Sequence, residues 1–350
     1  MADHVTSIEP RTTRRGFFWV GVERVEVPGG GTTAGGPMYV EWEAPAGQSR
    51  PHPIVLIHGG GGQGLDWLGT PDGRPGWAQY LVDEGYTVYV VDRPGHGRAS
   101  YHPDVLGPMT GPFTYELAMG LFMSCGSGSF PHPTRELHTQ WLGTGEVGDP
   151  ALDQFVASSG PMRRDFPAAH ALEQARLAEL LDRVGPAILI SHSAGGPAGW
   201  LAADARPGLV KAVVAIEVMS PPFLQNPDFG VSLDYGIAAA PLTFDPPVSD
   251  ASGLARETRE GVTLQAEPAR KLANLGRMPI AVVTAPASFL GHGDAATVAF
   301  LRQAGCDVEH VRLEEHGVEG NGHLMIVERN SRDALGVILD WLDRRVGSAS

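Results

Sequence analysis

The sequence predicts an α/β protein: a mostly parallel central sheet flanked by helices, with two inserted cap segments. Three observations predict it. Short apolar runs such as 54–57 and 187–190 alternate with helical stretches, the pattern of strands buried on both faces. The run at 187–190 passes directly into Ser191-His192-Ser193-Ala194-Gly195 and then a helix over 198–205. Two Pro- and Gly-rich stretches, 101–167 and 220–277, show no strong period and are too long for plain loops.

In chain order, 17–27 and 38–42 read as strands separated by glycine turns at 29–31 and 35–36. The strand 54–57 ends in His58-Gly59-Gly60-Gly61-Gly62, and a helix follows over 76–84. The next strand, 86–91, runs into Asp92 and is followed by the first insertion. Residues 168–184 form an amphipathic helix, with Leu177, Leu180, Leu181 and Val184 on one face. Its charged residues Glu173, Arg176, Glu179 and Asp182 are expected to point away, and Gly185 ends it. After the Ser193 turn and its helix comes a buried strand over 212–218, then the second insertion. A strand over 279–284, a helix over 295–304 and a strand over 308–313 follow. A helix over 333–346, with Leu335, Ile338, Leu339 and Leu342 on one face, closes what reads as a single domain of 350 residues. In open sheets of this class ligands bind beyond the C-terminal ends of the strands.

Composition narrows the partners. The net charge is −14, from 40 acidic and 26 basic residues, which argues against nucleic acid or an anionic membrane surface. Cys125 and Cys306 are too few for a disulfide framework. Arg14-Arg15-Gly16-Phe17-Phe18 faintly suggests a twin-arginine signal, but Glu23, Arg24 and Glu26 break the apolar run that should follow. No run of 18 apolar residues exists, so the expected location is cytoplasmic. No His, Asp or Glu set has a recognised metal spacing, and no cofactor is expected. Gly59-x-Gly61-x-x-Gly64 fits a dinucleotide fingerprint, yet Pro71, Gly73 and Pro75 stand where its helix should run.

The chemistry starts at Ser193. Strand, sharp turn and helix with serine at the apex is the G-x-S-x-G nucleophile elbow, whose strained turn needs small residues two before and two after the serine. Gly195 meets the second requirement, and Ser191 replaces the usual glycine at the first. A nucleophilic serine needs a base. His323, between Gly322 and the closing helix, is best placed, with His310 and His316 as rivals. The acid usually follows the strand ending at Thr284, but 285–290 carries no carboxylate, and Asp294 reads as a helix N-cap. Glu217, in the apolar run 213–219, is costly to bury unless paired. A triad histidine supplies such a pairing, so Glu217 is the favoured acid, with Asp294 and Asp245 in reserve. The oxyanion hole needs two aimed N–H groups: Ala194, after the nucleophile, and Gly60 in the His58-Gly59-Gly60-Gly61 loop, with Gly59 or Gly61 as alternatives. Trp67, Phe122, Met219 and Phe223 are the apolar candidates for the substrate pocket.

These residues, together with Gly16–Gly21, Thr70-Pro71-Asp72-Gly73-Arg74-Pro75-Gly76-Trp77 and His316-Gly317, resemble the α/β-hydrolases, and more narrowly the bacterial esterase 713 type. The resemblance runs from Gly16 to Trp341. It implies a serine esterase acting on a small-molecule ester through an acyl-enzyme, a glutamate acid after the strand that follows the elbow, and a homodimer. This chain departs from the type at Gly60-Gly61, where the type carries adjacent cysteines. The same triad could serve a lactone, thioester, amide or C–C bond, and a non-catalytic binding protein could also keep the fold.

Overall fold

Strands that are apolar along their whole length must be covered on both sides, and the sheet is built that way. The computed structural model describes residues 10–124, 133–227 and 230–347. Among these, eight strands form the central sheet: β1 (Thr13–Val20), β2 (Met38–Pro45), β3 (Ile54–Ile57), β4 (Val88–Asp92), β5 (Ala187–His192), β6 (Val210–Ile216), β7 (Ile280–Thr284) and β8 (Val308–Arg312). Their spatial order is β1-β2-β4-β3-β5-β6-β7-β8. β1 pairs antiparallel with β2, and β2 antiparallel with β4, while every pairing from β4 to β8 is parallel.

Alternation along the strands divides the core in two. Val55, Ile57, Leu189, Val213, Ala215 and Val282 face α4 (Phe166–Val184), α5 (Gly196–Ala205) and α6 (Gly291–Gln303). Ile54, Leu56, Ile188, Ile190, Val214 and Ile216 face α1 (Trp77–Asp83) and α7 (Ser331–Arg345). Burying side chains of this size stabilises by roughly 1.5–3 kcal/mol each, which is why the largely apolar strands β3, β5 and β7 are covered on both faces.

The structure corrects several expectations. The first insertion contains α2 (Tyr115–Phe122) and α3 (Pro150–Ser158), whose starts do carry capping signals. Thr114 accepts from the Leu117 N–H at 3.2 Å, and Asp149 from the Ala151 N–H at 2.9 Å, with Pro150 at the first helical turn. In the second insertion, short two-stranded ladders such as Arg256–Arg259 with Val262–Gln265 replace the irregular chain. On α4, Glu173 and Arg176 are buried rather than solvent-facing. Glu173 pairs with buried Arg93 at 2.8 Å, and Arg176 donates to the Gly35 and Gly36 carbonyls at 2.7 and 2.9 Å. α6 begins at Gly291, so Asp294 lies inside its first turn and is not an N-cap. Cys306 is buried and unpaired in any disulfide, its thiol pushed up to about 12 by burial, and Cys125 lies outside the described residues.

Candidate active site

Parallel register places the chemistry. The end of β3 pairs Ile57 with Ser191, so the His58–Gly61 loop leaves the sheet beside the elbow. His192 pairs with Ile216, which puts Glu217 next to Ser193 across the strand boundary, and Ile216 pairs with Val283, which brings Ala285 alongside Glu217. Ser193 has φ 52° and Glu217 φ 48°, a left-handed backbone that side-chain-bearing residues rarely adopt. Such strain persists only where the surroundings enforce it, and it clusters at functional sites.

The elbow leaves no room for a larger residue at 195. A Cβ there would stand 2.3 Å from the His58 carbonyl oxygen and 3.0 Å from that of Ile57. Both are backbone atoms of a central strand and its exit, so neither can retreat cheaply. Gly195→Ala is therefore expected to lower stability by about 2 kcal/mol or more, read as a fall in Tm. A Tm within 1 °C or so of wild type would contradict the packing described.

The catalytic candidates meet as follows. His323 and Glu217 are both buried, and their Nδ1 and Oε2 lie 3.2 Å apart. With Nδ1–H donating to that carboxylate, Nε2 is the basic nitrogen of His323. Ser193 and His323 line one cavity of about 500 Å³. Glu217 accepts from the Ala285 N–H at 2.6 Å and from the Ser288 hydroxyl. Burial pushes the Glu217 carboxyl up to about 7, while those two donors pull the other way.

Asp294 bonds to a different partner. Its Oδ2 accepts from the Thr284 hydroxyl at 2.7 Å, and the same hydroxyl lies 2.9 Å from His310 Nε2. Burial first, and then the neighbouring Glu217 charge, hold the Asp294 carboxyl well above the ordinary range. His310 thus belongs to this outer pair, and burial lowers it to about 4. His316 is exposed, as is Asp245 in a short peripheral ladder.

Gly59 explains how the glycine loop is aimed. Its carbonyl accepts from the Arg93 guanidinium at 2.7 Å and from His58 Nδ1 at 2.8 Å. His58 Nε2 accepts the Arg93 backbone N–H at 3.0 Å, which fixes the donor at Nδ1. In a trans peptide the C=O and the next N–H point in opposite directions. Pinning the Gly59 oxygen inward therefore turns the Gly60 N–H outward, and Gly60 and Ala194 both line the cavity with Ser193.

The loop carrying His323 is held from two sides. His192 Nε2–H donates to the His323 carbonyl at 2.9 Å; burial lowers His192 to about 3, so its ring is neutral. Buried Glu328 accepts from the Gly322 N–H at 3.1 Å, from Asn321 Nδ2 at 2.9 Å, and from His138 of the first insertion at 2.9 Å.

Two pocket candidates are corrected. Trp67 is fully buried against Trp77, 5.9 Å between rings, and does not reach the cavity. Phe223 packs in the core on Phe300 at 5.8 Å. Phe122 and Met219 do line the cavity. Residues that the sequence reading passed over contribute as much. Phe113, Met162 and Phe289 form its walls, and the Ser288 hydroxyl donates to Glu217. The stretch 285–290 carries no carboxylate, and nothing in its composition marks it as a neighbour of Glu217.

Residues 52–270 match the family model described as alpha/beta hydrolase fold. The chain belongs to the α/β-hydrolase family. This α/β-hydrolase is 39% identical over 317 residues to a probable secreted lipase, phiG, of Fungal sp. (strain ATCC 74256), covering 88% of this chain and 86% of that protein. It also resembles a solved bacterial esterase at a TM-score of 0.70 and 22% identity, covering 97% of this chain and 98% of the other, a likeness of fold. The fungal relative is described as secreted, which lends the cytoplasmic expectation no support. Among the described residues, no helix of the α/β-hydrolase is long and apolar enough to cross a membrane.

Proposed function

We propose that this α/β-hydrolase is a serine esterase, with Ser193 as nucleophile, His323 as general base and Glu217 as the acid that orients it. The observation that carries the reading is the buried Nδ1–Oε2 contact of 3.2 Å between His323 and Glu217, in a cavity that also exposes Ser193. His323 takes the Ser193 proton as Oγ attacks the ester carbonyl, and the oxyanion rests on the Gly60 and Ala194 amides. Collapse of the tetrahedral intermediate breaks the C–O bond, His323 returns the proton to the departing alkoxide, and the acyl group stays on Ser193. Water, activated by the same imidazole, then releases the acid. The two insertions act as caps, since 101–167 supplies Phe113 and Phe122 to the cavity and 220–277 supplies Leu224 and Val231. Similarity to the lipase and the esterase supports an ester, rather than an amide or a C–C bond, as the substrate.

The pH profile tests this reading. The base must be neutral and the acid ionised, so kcat/KM on an ester stable to hydrolysis should rise with pH. Burial lifts Glu217, the partner of His323, to about 7. The two share a hydrogen bond, so the acid limb belongs to the pair and should fall in that neutral window. A profile flat between roughly pH 5 and pH 8 would remove His323 from the mechanism.

A further inference from the structure

Proton accounting divides the cavity into two ends. On the triad reading above, His323 gives its proton to the departing oxygen as the acyl C–O bond breaks, so the alcohol part of the ester must lie against the imidazole. The acyl part then extends along the other wall, past Ser193.

The two ends differ in chemistry. Around the imidazole stand aromatic rings. Phe122 is stacked on His323, with centroids 5.1 Å apart and planes 6° from parallel. Phe289 lies 4.8 Å from the same ring at 56°. Phe113 lies nearly parallel to Phe122, at 6.2 Å and 12°, and reaches toward the glycine loop, its Cδ2 3.8 Å from where a Cβ on Gly61 would stand. All three line the cavity. Beside Gly60 the wall carries the flexible thioether of Met162. A Cβ added to Gly60 would meet the Met162 sulfur at 2.5 Å, and the Met219 N–H donates to the Ser193 carbonyl at 3.0 Å. Val231 lines the same cavity.

We propose that the enzyme selects esters whose alcohol part is a flat aromatic group, with Phe122 and Phe289 as the specificity-determining side chains, and whose acyl part is aliphatic. Aromatic rings favour stacked or edge-to-face neighbours beyond what area alone contributes, by about 0.5–1.5 kcal/mol per pair. Thioether and branched aliphatic walls adapt to a chain without demanding flatness.

Benzyl butanoate and cyclohexylmethyl butanoate test this, because they share an acyl group and differ chiefly in whether the six-membered ring is flat. Wild type should prefer the benzyl ester by roughly tenfold in kcat/KM. The preference should shrink toward unity in Phe122→Leu and in Phe289→Leu. The ratio does not depend on the fraction of each variant that folds. Equal turnover of the two esters by wild type, or an unchanged ratio in both variants, overturns the proposal. So does Ser193-dependent hydrolysis of other esters with neither of these accepted. Absence of Ser193-dependent turnover on every ester would instead overturn the esterase reading beneath it.

Discussion

Replacing Ser193 with alanine is expected to lower kcat by roughly four to six orders of magnitude, leaving only what the oxyanion site and binding supply. The reason lies in the backbone as much as in the side chain. Ser193 occupies the left-handed region at φ 52°, which lifts its hydroxyl off the sheet and into the cavity that His323 lines. The other serine of the turn, Ser191, is no substitute, because it is fully buried in β5. Alanine keeps the turn, so the loss should appear in turnover and not in folding. The direct measurement is the intact mass of the chain after mixing with a slowly deacylating ester. Wild type should gain one acyl group, and Ser193→Ala should gain none. A variant that keeps activity within about tenfold of wild type would place the nucleophile elsewhere.

Glu217→Gln should be the second largest effect, at roughly four orders of magnitude in kcat, the scale seen when a triad acid is made neutral and the imidazole tautomer is lost. Asp294→Asn should change kcat by less than about tenfold. Both carboxyls are buried in the same region, and only their partners separate them. Glu217 reaches His323 at 3.2 Å, while Asp294 reaches the Thr284 hydroxyl at 2.7 Å. Burial and the Glu217 charge also hold Asp294 toward its neutral form, which an amide imitates in shape and charge. The two variants, assayed side by side on one ester, decide the acid. Collapse on Asp294→Asn with survival of Glu217→Gln would reverse the assignment.

Some of this was legible in residues alone because the physics was local. The elbow is a chain-neighbour constraint: strand, serine, small residue, helix. Glu217 announced itself as a carboxylate in an apolar run, where the cost of burial demands a partner. The central strands followed from short apolar runs, and α4 and α7 from apolar periodicity. The glycine loop after Ile57 carried the flexibility that its tight contacts require, since even at Gly60 a Cβ would meet Ala194 at 3.2 Å.

What only the tertiary structure decided involved residues far apart in sequence. Ser288 became the partner of Glu217 because β6 and β7 run parallel with Ile216 opposite Val283, a register that neither strand states. Glu173, expected on the outward face of α4, instead pairs with buried Arg93 behind Gly59, where the Gly59 carbonyl accepts from Arg93 as well as from His58. Trp67 and Phe223 went to the core while Phe113 and Phe289 went to the cavity. Apolar side chains are interchangeable in composition, and only packing determines which of them faces the vacant space.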